Sequence, residues 1–260
     1  GRNRWARFDA RLENELRRRN SSEQDIRQGI AEDGFVPFFQ PIVALDSGAI
    51  GGFEVLARWQ LPSGEVIEPE QFISGAEAAG VIAELSFAVM RKALAFAREC
   101  PAEWRVAVNI SPVQFKDPSL AEKILKILAE AGFPARRLEL EITESSLIGD
   151  HAQAAATIES LRNCGAGIVI DDFGIGYASL GQLRSFPFDR IKIDRSFVAP
   201  LLVDRQCDAI VQSILTIGSR LQIPTTAEGV ESEAVRNRLL ELGCREAQGW
   251  LFAKALSAED

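Results

Sequence analysis

Short apolar runs alternating with helical patterns predict an α/β fold, a TIM-like (β/α)8 barrel with an antiparallel first strand. The strand candidates are Phe35–Ala44, Ala49–Trp59, Trp104–Asn109, Leu138–Ile142, Gly167–Ile170, Arg190–Ile193, Ile223–Ala227 and a weak run at Arg245–Gly249. Between most of them lie helical patterns at Pro69–Glu77, Ala83–Glu99, Leu120–Ala131, Ala152–Asn163, Asp204–Leu221 and Glu231–Leu242. Only Leu45-Asp46-Ser47-Gly48 separates the first two runs. That link suits a hairpin and is too short for a parallel crossover. A doubly wound open sheet is the alternative architecture, since spacing alone does not show closure.

Residues 1–33 read differently. Trp5, Phe8, Leu12, Leu16, Ile26 and Ile30 recur at roughly helical spacing among arginines and acidic residues. This is the pattern of an amphipathic helix, solvated or acting as a connector to something upstream. The main domain is therefore expected at 34–260. A chain that begins with Gly1 and has Met90 as its one methionine reads as an excised fragment.

Composition excludes several function classes. The 260 residues are 47% hydrophobic and 25% charged, ordinary for a globular protein. Twenty-nine basic against 37 acidic residues give a net charge of −8, which disfavours a surface for long DNA or RNA. No stretch approaches the ~20 apolar residues that span a bilayer, so no membrane contact is expected of this segment. Cys100, Cys164, Cys207 and Cys244 form no CxxC pair and read as reduced, mostly buried thiols of a cytoplasmic protein. The one histidine, His151, lies in a polar stretch at a helix start, so a Ser-His-Asp triad or His-rich metal site is hard to build.

The polar residues at the strand ends carry the chemistry. They are Glu54, Asn109, Glu141, the adjacent pair Asp171 and Asp172, Lys192, Glu228 and Gln248. In barrels of this class the active site forms at the C-terminal strand ends, so these segments can converge on one pocket. Neighbouring carboxylates repel and are costly to bury without a compensating charge. Hard oxygen ligands suit Mg²⁺ or Mn²⁺, and adjacent aspartates allow one carboxylate to bridge two ions. Paired ions are a recurrent device for cleaving phosphodiesters, with a lysine to hold the water and a glutamate to orient or deprotonate it.

Eight ordered motifs resemble the EAL-domain family of cyclic-di-GMP phosphodiesterases. They are Phe39-Gln40-Pro41-Ile42, Glu54-Val55-Leu56, Val108-Asn109-Ile110-Ser111, Glu139-Leu140-Glu141-Ile142-Thr143-Glu144, Asp171-Asp172-Phe173-Gly174, Ile191-Lys192-Ile193-Asp194, Ala227-Glu228-Gly229-Val230-Glu231 and Gln248-Gly249-Trp250-Leu251-Phe252. The resemblance implies hydrolysis of cyclic-di-GMP to linear pGpG with two ions per site. Glu54, Asn109, Glu141 and Asp171 would hold one ion, and Asp171 with Asp172 the second. Lys192 would contact the attacking water and Glu228 would orient or deprotonate it. Arg58 would meet a substrate phosphate, its bland alternative being a surface ion pair. Gln40 and Gln248 would line the substrate end, and Glu144 would brace the loop after Asp172. Homodimerisation is typical of the family, and Arg2-Asn3-Arg4 with Phe8-Asp9 is similar to the tail of a GGDEF-type domain, whose regulatory part would lie upstream. Ile175 replaces a common threonine and Ala255 a common proline. The alternative activities are a catalytically silent cyclic-di-GMP receptor and a barrel enzyme on another phosphate ester.

Overall fold

The computed structural model describes residues 23–147, 151–175, 183 and 185–260. The strands fall on the apolar runs: β1 (Phe35–Ala44), β2 (Ile50–Gln60), β4 (Arg105–Ile110), β5 (Leu138–Thr143), β6 (Gly167–Phe173), β7 (Arg190–Ile193), β8 (Thr225–Ala227) and β9 (Glu246–Ala247). A two-residue strand, β3 (Val66–Ile67), is added by a turn after β2. The helices are α1 (Glu23–Ala31), α2 (Ile73–Ala78), α3 (Ile82–Ala97), α4 (Leu120–Ala131), α5 (His151–Asn163), α6 (Arg195–Val198), α7 (Arg205–Leu221) and α8 (Glu233–Glu241). Of the helical pattern read over residues 1–33, α1 covers Glu23–Ala31, and residues 1–22 lie outside the described residues.

The sheet order is β1-β9-β8-β7-β6-β5-β4-β2-β3, and β1 also pairs with β2. That last pairing closes the sheet on itself and leaves β3 as an appendage, so the open-sheet alternative does not hold. Every neighbouring pair from β2 through β4 to β9 is parallel. β1 runs against β9, with Val43 opposite Ala247. The hairpin is why: Ala44 N–H donates to the Ala49 carbonyl at 2.9 Å, turning the chain before any helix can form. β7 is buried along its whole length and β5 nearly so, as expected when helices cover one face and the barrel interior the other.

The described residues fall into two units, one of 23–36 and 57–89, the other of 37–56 and 90–260. In the first, a Cβ on Gly29 would sit 2.7 Å from Trp59 Nε1, so only glycine lets α1 approach that ring. Phe35 stacks on Trp59 and meets Phe72 edge-on, with centroids 5.2 Å apart in each pair. The second unit holds the barrel.

Its helices start and stop where local chemistry dictates. Buried Leu120, Ala121, Ile124, Ile127 and Leu128 set the inner face of α4. Asp204 caps α7 by accepting from Gln206 and Cys207 N–H, and Ser232 caps α8 through Val235 N–H. At the N-terminal ends of the strands, Arg105 and Arg190 interleave with Glu139 and Glu246 in alternating charge. Of the four thiols only Cys244 is buried; Cys164 is exposed because it follows α5 into the turn at Gly165. No helix of the described residues is long and apolar enough to cross a membrane.

Candidate active site

The parallel register brings the strand ends into line. Asn109 on β4 stands opposite Glu141 on β5, and Thr143 opposite Asp171 on β6. Glu54 on β2 pairs with Ala107, two residues before Asn109. Glu228 directly follows β8 and Gln248 directly follows β9.

Lys192 on β7 is the hub. Its side chain is 1% exposed, and Nζ lies 2.7 Å from Glu228, 2.8 Å from Glu141, 3.1 Å from Glu54 and 3.5 Å from Asp171. Asn109 Nδ2 donates to Glu54 Oε1 at 2.8 Å. Gln248 Nε2 donates to Glu54 Oε2 and, at 3.1 Å, to Glu228 Oε1. The structure thus gathers Glu54, Asn109, Glu141, Asp171, Lys192, Glu228 and Gln248 into one cluster, with Asp172 beside Asp171 and Glu228.

A break in the strand explains how two neighbouring aspartates serve one site. Successive strand residues point to opposite faces, so Asp171 and Asp172 should diverge. The β6–β7 register shifts between Ile170 and Phe173, and Asp172 takes a left-handed backbone at φ 55°. Such a bulge re-aims a side chain at the cost of local strain. Carboxylate oxygens of Asp171, Asp172 and Glu228 consequently all lie within 4.8 Å of one another.

The protonation equilibria follow this crowding. Burial opposes charge on Lys192, but Asp171, Glu141, Glu228 and Glu54 together hold it well above the ordinary lysine value. Glu54 is also penalised by burial, yet Lys192, Gln248 and Asn109 hold it below the usual carboxylate range. Glu141 is pushed well above that range by burial and by the charge of Glu54. Burial likewise pushes Glu228 up to about 8 against the pull of Lys192. Burial and the charges of Asp171 and Asp194 raise Asp172 to about 6.

This donor set fits divalent cations. Five carboxylates meet one ammonium, so full ionisation leaves four negative charges, the amount two divalent ions neutralise. Two buried acceptors take no hydrogen bond from the protein: Gln248 Oε1, and Asp171 Oδ1, whose one contact is the long 3.5 Å ion pair with Lys192. Oxygens left short of donors amid hard ligands are what a cation would satisfy.

The remaining expected residues have partners of their own. Glu144 is buried and its Oε1 accepts from Gly174 N–H at 3.0 Å, just past the aspartates. Gln40 is half-buried and donates to the Ala253 carbonyl at 3.3 Å. Arg58 belongs to the other unit, where it forms a 2.9 Å ion pair with Glu68. Ile175 is 55% exposed. Asp194, given no role of its own by the sequence reading, borders the site: it is 7% exposed, its charge helps raise Asp172, and it caps α6 by accepting from Ser196 N–H. Its signal was the acidic residue directly before a new helix.

Comparison with known proteins shows what the whole chain is similar to. The chain is 37% identical over 238 residues to the cyclic di-GMP phosphodiesterase RocR of Pseudomonas aeruginosa, covering 90% of this chain and 61% of RocR. The solved complex of PaMucR phosphodiesterase with c-di-GMP superposes with a TM-score of 0.86 at 36% identity, covering 91% of this chain and 97% of that one. The calcium/cy-diGMP complex of BlrP1 from Klebsiella pneumoniae gives a TM-score of 0.77 at 29% identity, covering 86% and 56%. The chain spans about a third of the length of other curated relatives it matches. The family model for the EAL domain matches residues 23–255, and the chain belongs to that family.

Proposed function

We propose that this chain is a metal-dependent phosphodiesterase that hydrolyses cyclic-di-GMP to linear pGpG. The observation that carries the proposal is the intact Lys192-centred cluster on a barrel like that of PaMucR, solved with c-di-GMP. Glu54, Asn109, Glu141 and Asp171 would hold one Mg²⁺ or Mn²⁺, and Asp171 with Asp172 the second. Bound there, the ions supply positive charge against the phosphate oxygens and acidity to a water.

The chain's own groups do the rest. Lys192 stays charged and offers its ammonium protons to the incoming water and to the negative charge that develops on phosphate. Glu228 takes the water's proton as the new P–O bond forms and the bond to the 3′ oxygen breaks; the departing oxygen takes a proton from solvent, to which Glu228 then returns its own. A carboxyl near 8 before cations bind must ionise first, and cation binding favours that. Gln248 fixes the orientation of Glu54 and Glu228 together. Arg58 would meet a phosphate after exchanging Glu68 for it, Gln40 would line the groove, and Glu144 would hold the loop after Asp172. We assign the catalytic domain to 34–260, with 1–33 as a connector, working in the cytoplasm as a homodimer.

The test is turnover of cyclic-di-GMP with Mg²⁺ and then Mn²⁺, wild type beside Glu54→Ala, with products separated by chromatography. Wild type should release pGpG, and the variant should be slower by about a hundredfold or more, the scale of disturbing a metal's ligand shell. Tight binding without turnover in both metals would instead identify a silent receptor. Neither binding nor turnover would remove the proposal.

A further inference from the structure

We propose that Trp250 is a stacking platform for a purine base of the bound dinucleotide, held in place by Lys254; this rests on cyclic-di-GMP being the ligand. Trp250 is a large aromatic residue left 62% exposed, immediately beyond the site rather than on a remote surface. Gln248, two residues earlier, is 4% exposed and touches both Glu54 and Glu228. With 3.8 Å between successive Cα atoms, Trp250 Cα lies within about 7.6 Å of Gln248 Cα. Since this segment follows β9, it lies on the barrel face where the cluster opens.

The backbone under Trp250 is fixed on both sides. Val230 N–H donates to the Gln248 carbonyl at 3.1 Å, and Leu251 N–H donates to the Val230 carbonyl at 3.0 Å. Phe252 and Ala253 N–H close back onto the Gly249 carbonyl. Gln40 Nε2 then holds the Ala253 carbonyl from β1, at 3.3 Å. Lys254 Nζ lies 4.9 Å from the Trp250 ring centroid, close enough for a cation–aromatic contact that restrains the indole. A ring presented this way needs little further ordering when a flat ligand arrives.

The occupant follows from the chemistry of the ligand. Its phosphates are drawn to the cation-binding cluster, so its two purines must extend outward along the rim. Purines stack on tryptophan whatever their edge, and losing one such stack weakens binding by roughly five- to hundredfold. Trp250 therefore supplies affinity for the nucleotide, and Lys254 acts on it as a positioning residue.

The 260-residue chain can be tested by titration calorimetry with cyclic-di-GMP in Ca²⁺, together with tryptophan fluorescence. Trp250→Ala should weaken binding by about tenfold, Trp250→Phe by less than about threefold, and Lys254→Met by an intermediate factor. The nucleotide should quench wild-type emission, and this quench should vanish in Trp250→Phe, which keeps Trp5, Trp59 and Trp104. Thermal melting of each variant should match wild type, because the ring is exposed. Equal affinity of Trp250→Ala and wild type, or quenching that persists in Trp250→Phe, overturns the platform. A wild type that binds here but releases no pGpG in Mg²⁺ or Mn²⁺ overturns the phosphodiesterase assignment and leaves the platform standing. No binding by wild type overturns both.

Discussion

Lys192 Nζ lies 2.7 Å from Glu228 Oε1, and the same ammonium is the only cation paired with Glu54, Glu141 and Asp171 among the described residues. Its removal leaves several buried carboxylates without compensation. Breaking a buried pair from one side typically costs about 3–5 kcal/mol. Lys192→Met should therefore be destabilised on that order in chelator, by less at low pH where the carboxyls protonate, and by less again in Mg²⁺. It should also lose roughly 10²- to 10³-fold in kcat, the scale of deleting a charge-stabilising donor. Chemical denaturation with and without Mg²⁺ measures the first effect. A variant equally unstable in both conditions would mean that cations do not take over the role of the ammonium.

The raised carboxyls predict an unusual pH dependence. In the metal-free protein, Asp172 near 6 and Glu228 near 8 keep protons that the unfolded chain has already released. The folded state then binds more protons than the unfolded one between roughly pH 4.5 and 8, and stability falls as pH rises through that window. Glu54, held low, contributes in the opposite sense, but its contribution is fully present above the ordinary carboxyl value and stays flat there. Lys192, held high, contributes stability lost only above the ordinary lysine range. Divalent cations bind the ionised forms, so their affinity should rise with pH and their binding should release protons. Melting temperatures from pH 5 to 8 in chelator should fall, and added Mg²⁺ should raise them most at pH 8. A chelated protein that grows steadily more stable from pH 5 to 8 contradicts this.

How much of this could be read in the sequence depends on the range of the interaction. Strands such as β5 and β7 are buried over nearly every residue, so they stand out as unbroken apolar runs, and a four-residue link allows only a hairpin. The strand-end polar residues were legible because a barrel collects them at one mouth. The bulge at Asp172 was not: two adjacent aspartates do not reveal that one will adopt φ 55°. The ion pair held as the alternative for Arg58 forms with Glu68 across the β2–β3 turn, a partner that spacing does not name, and spacing does not show the charge of Asp194 acting on Asp172 either. A two-residue strand and a four-residue helix such as β3 and α6 are too short for periodicity to register.

The strain at Asp172 separates two substitutions that both delete its charge. Asparagine tolerates the left-handed region because its short polar side chain bonds locally; alanine does not, at a cost of about 1–2 kcal/mol. Removing the carboxylate also relieves repulsion from Asp171. Asp172→Asn should thus be at least as stable as wild type in chelator, while Asp172→Ala should fall below Asp172→Asn by about 1 kcal/mol. Both should lose Mg²⁺-induced stabilisation. Equal unfolding midpoints for the two variants would show that the backbone at 172 relaxes freely.

Gly249 offers a test of how tightly Gln248 is held. A Cβ there would sit 2.2 Å from the Val230 carbonyl oxygen and 2.3 Å from its nitrogen, so backbone must move. Gly243, also at positive φ, has no atom within 4 Å of such a Cβ, so Gly243→Ala carries conformational strain alone. Gly249→Ala adds a steric penalty of the overpacking kind, about 1–3 kcal/mol. The shift would also pull Gln248 from Glu54 and Glu228, so activity should drop by at least about tenfold in Gly249→Ala and stay near wild type in Gly243→Ala. Measuring midpoints and turnover together discriminates the causes. Lost stability with undiminished turnover would mean that the Val230–Gln248 bond supports the fold but not the orientation of the site.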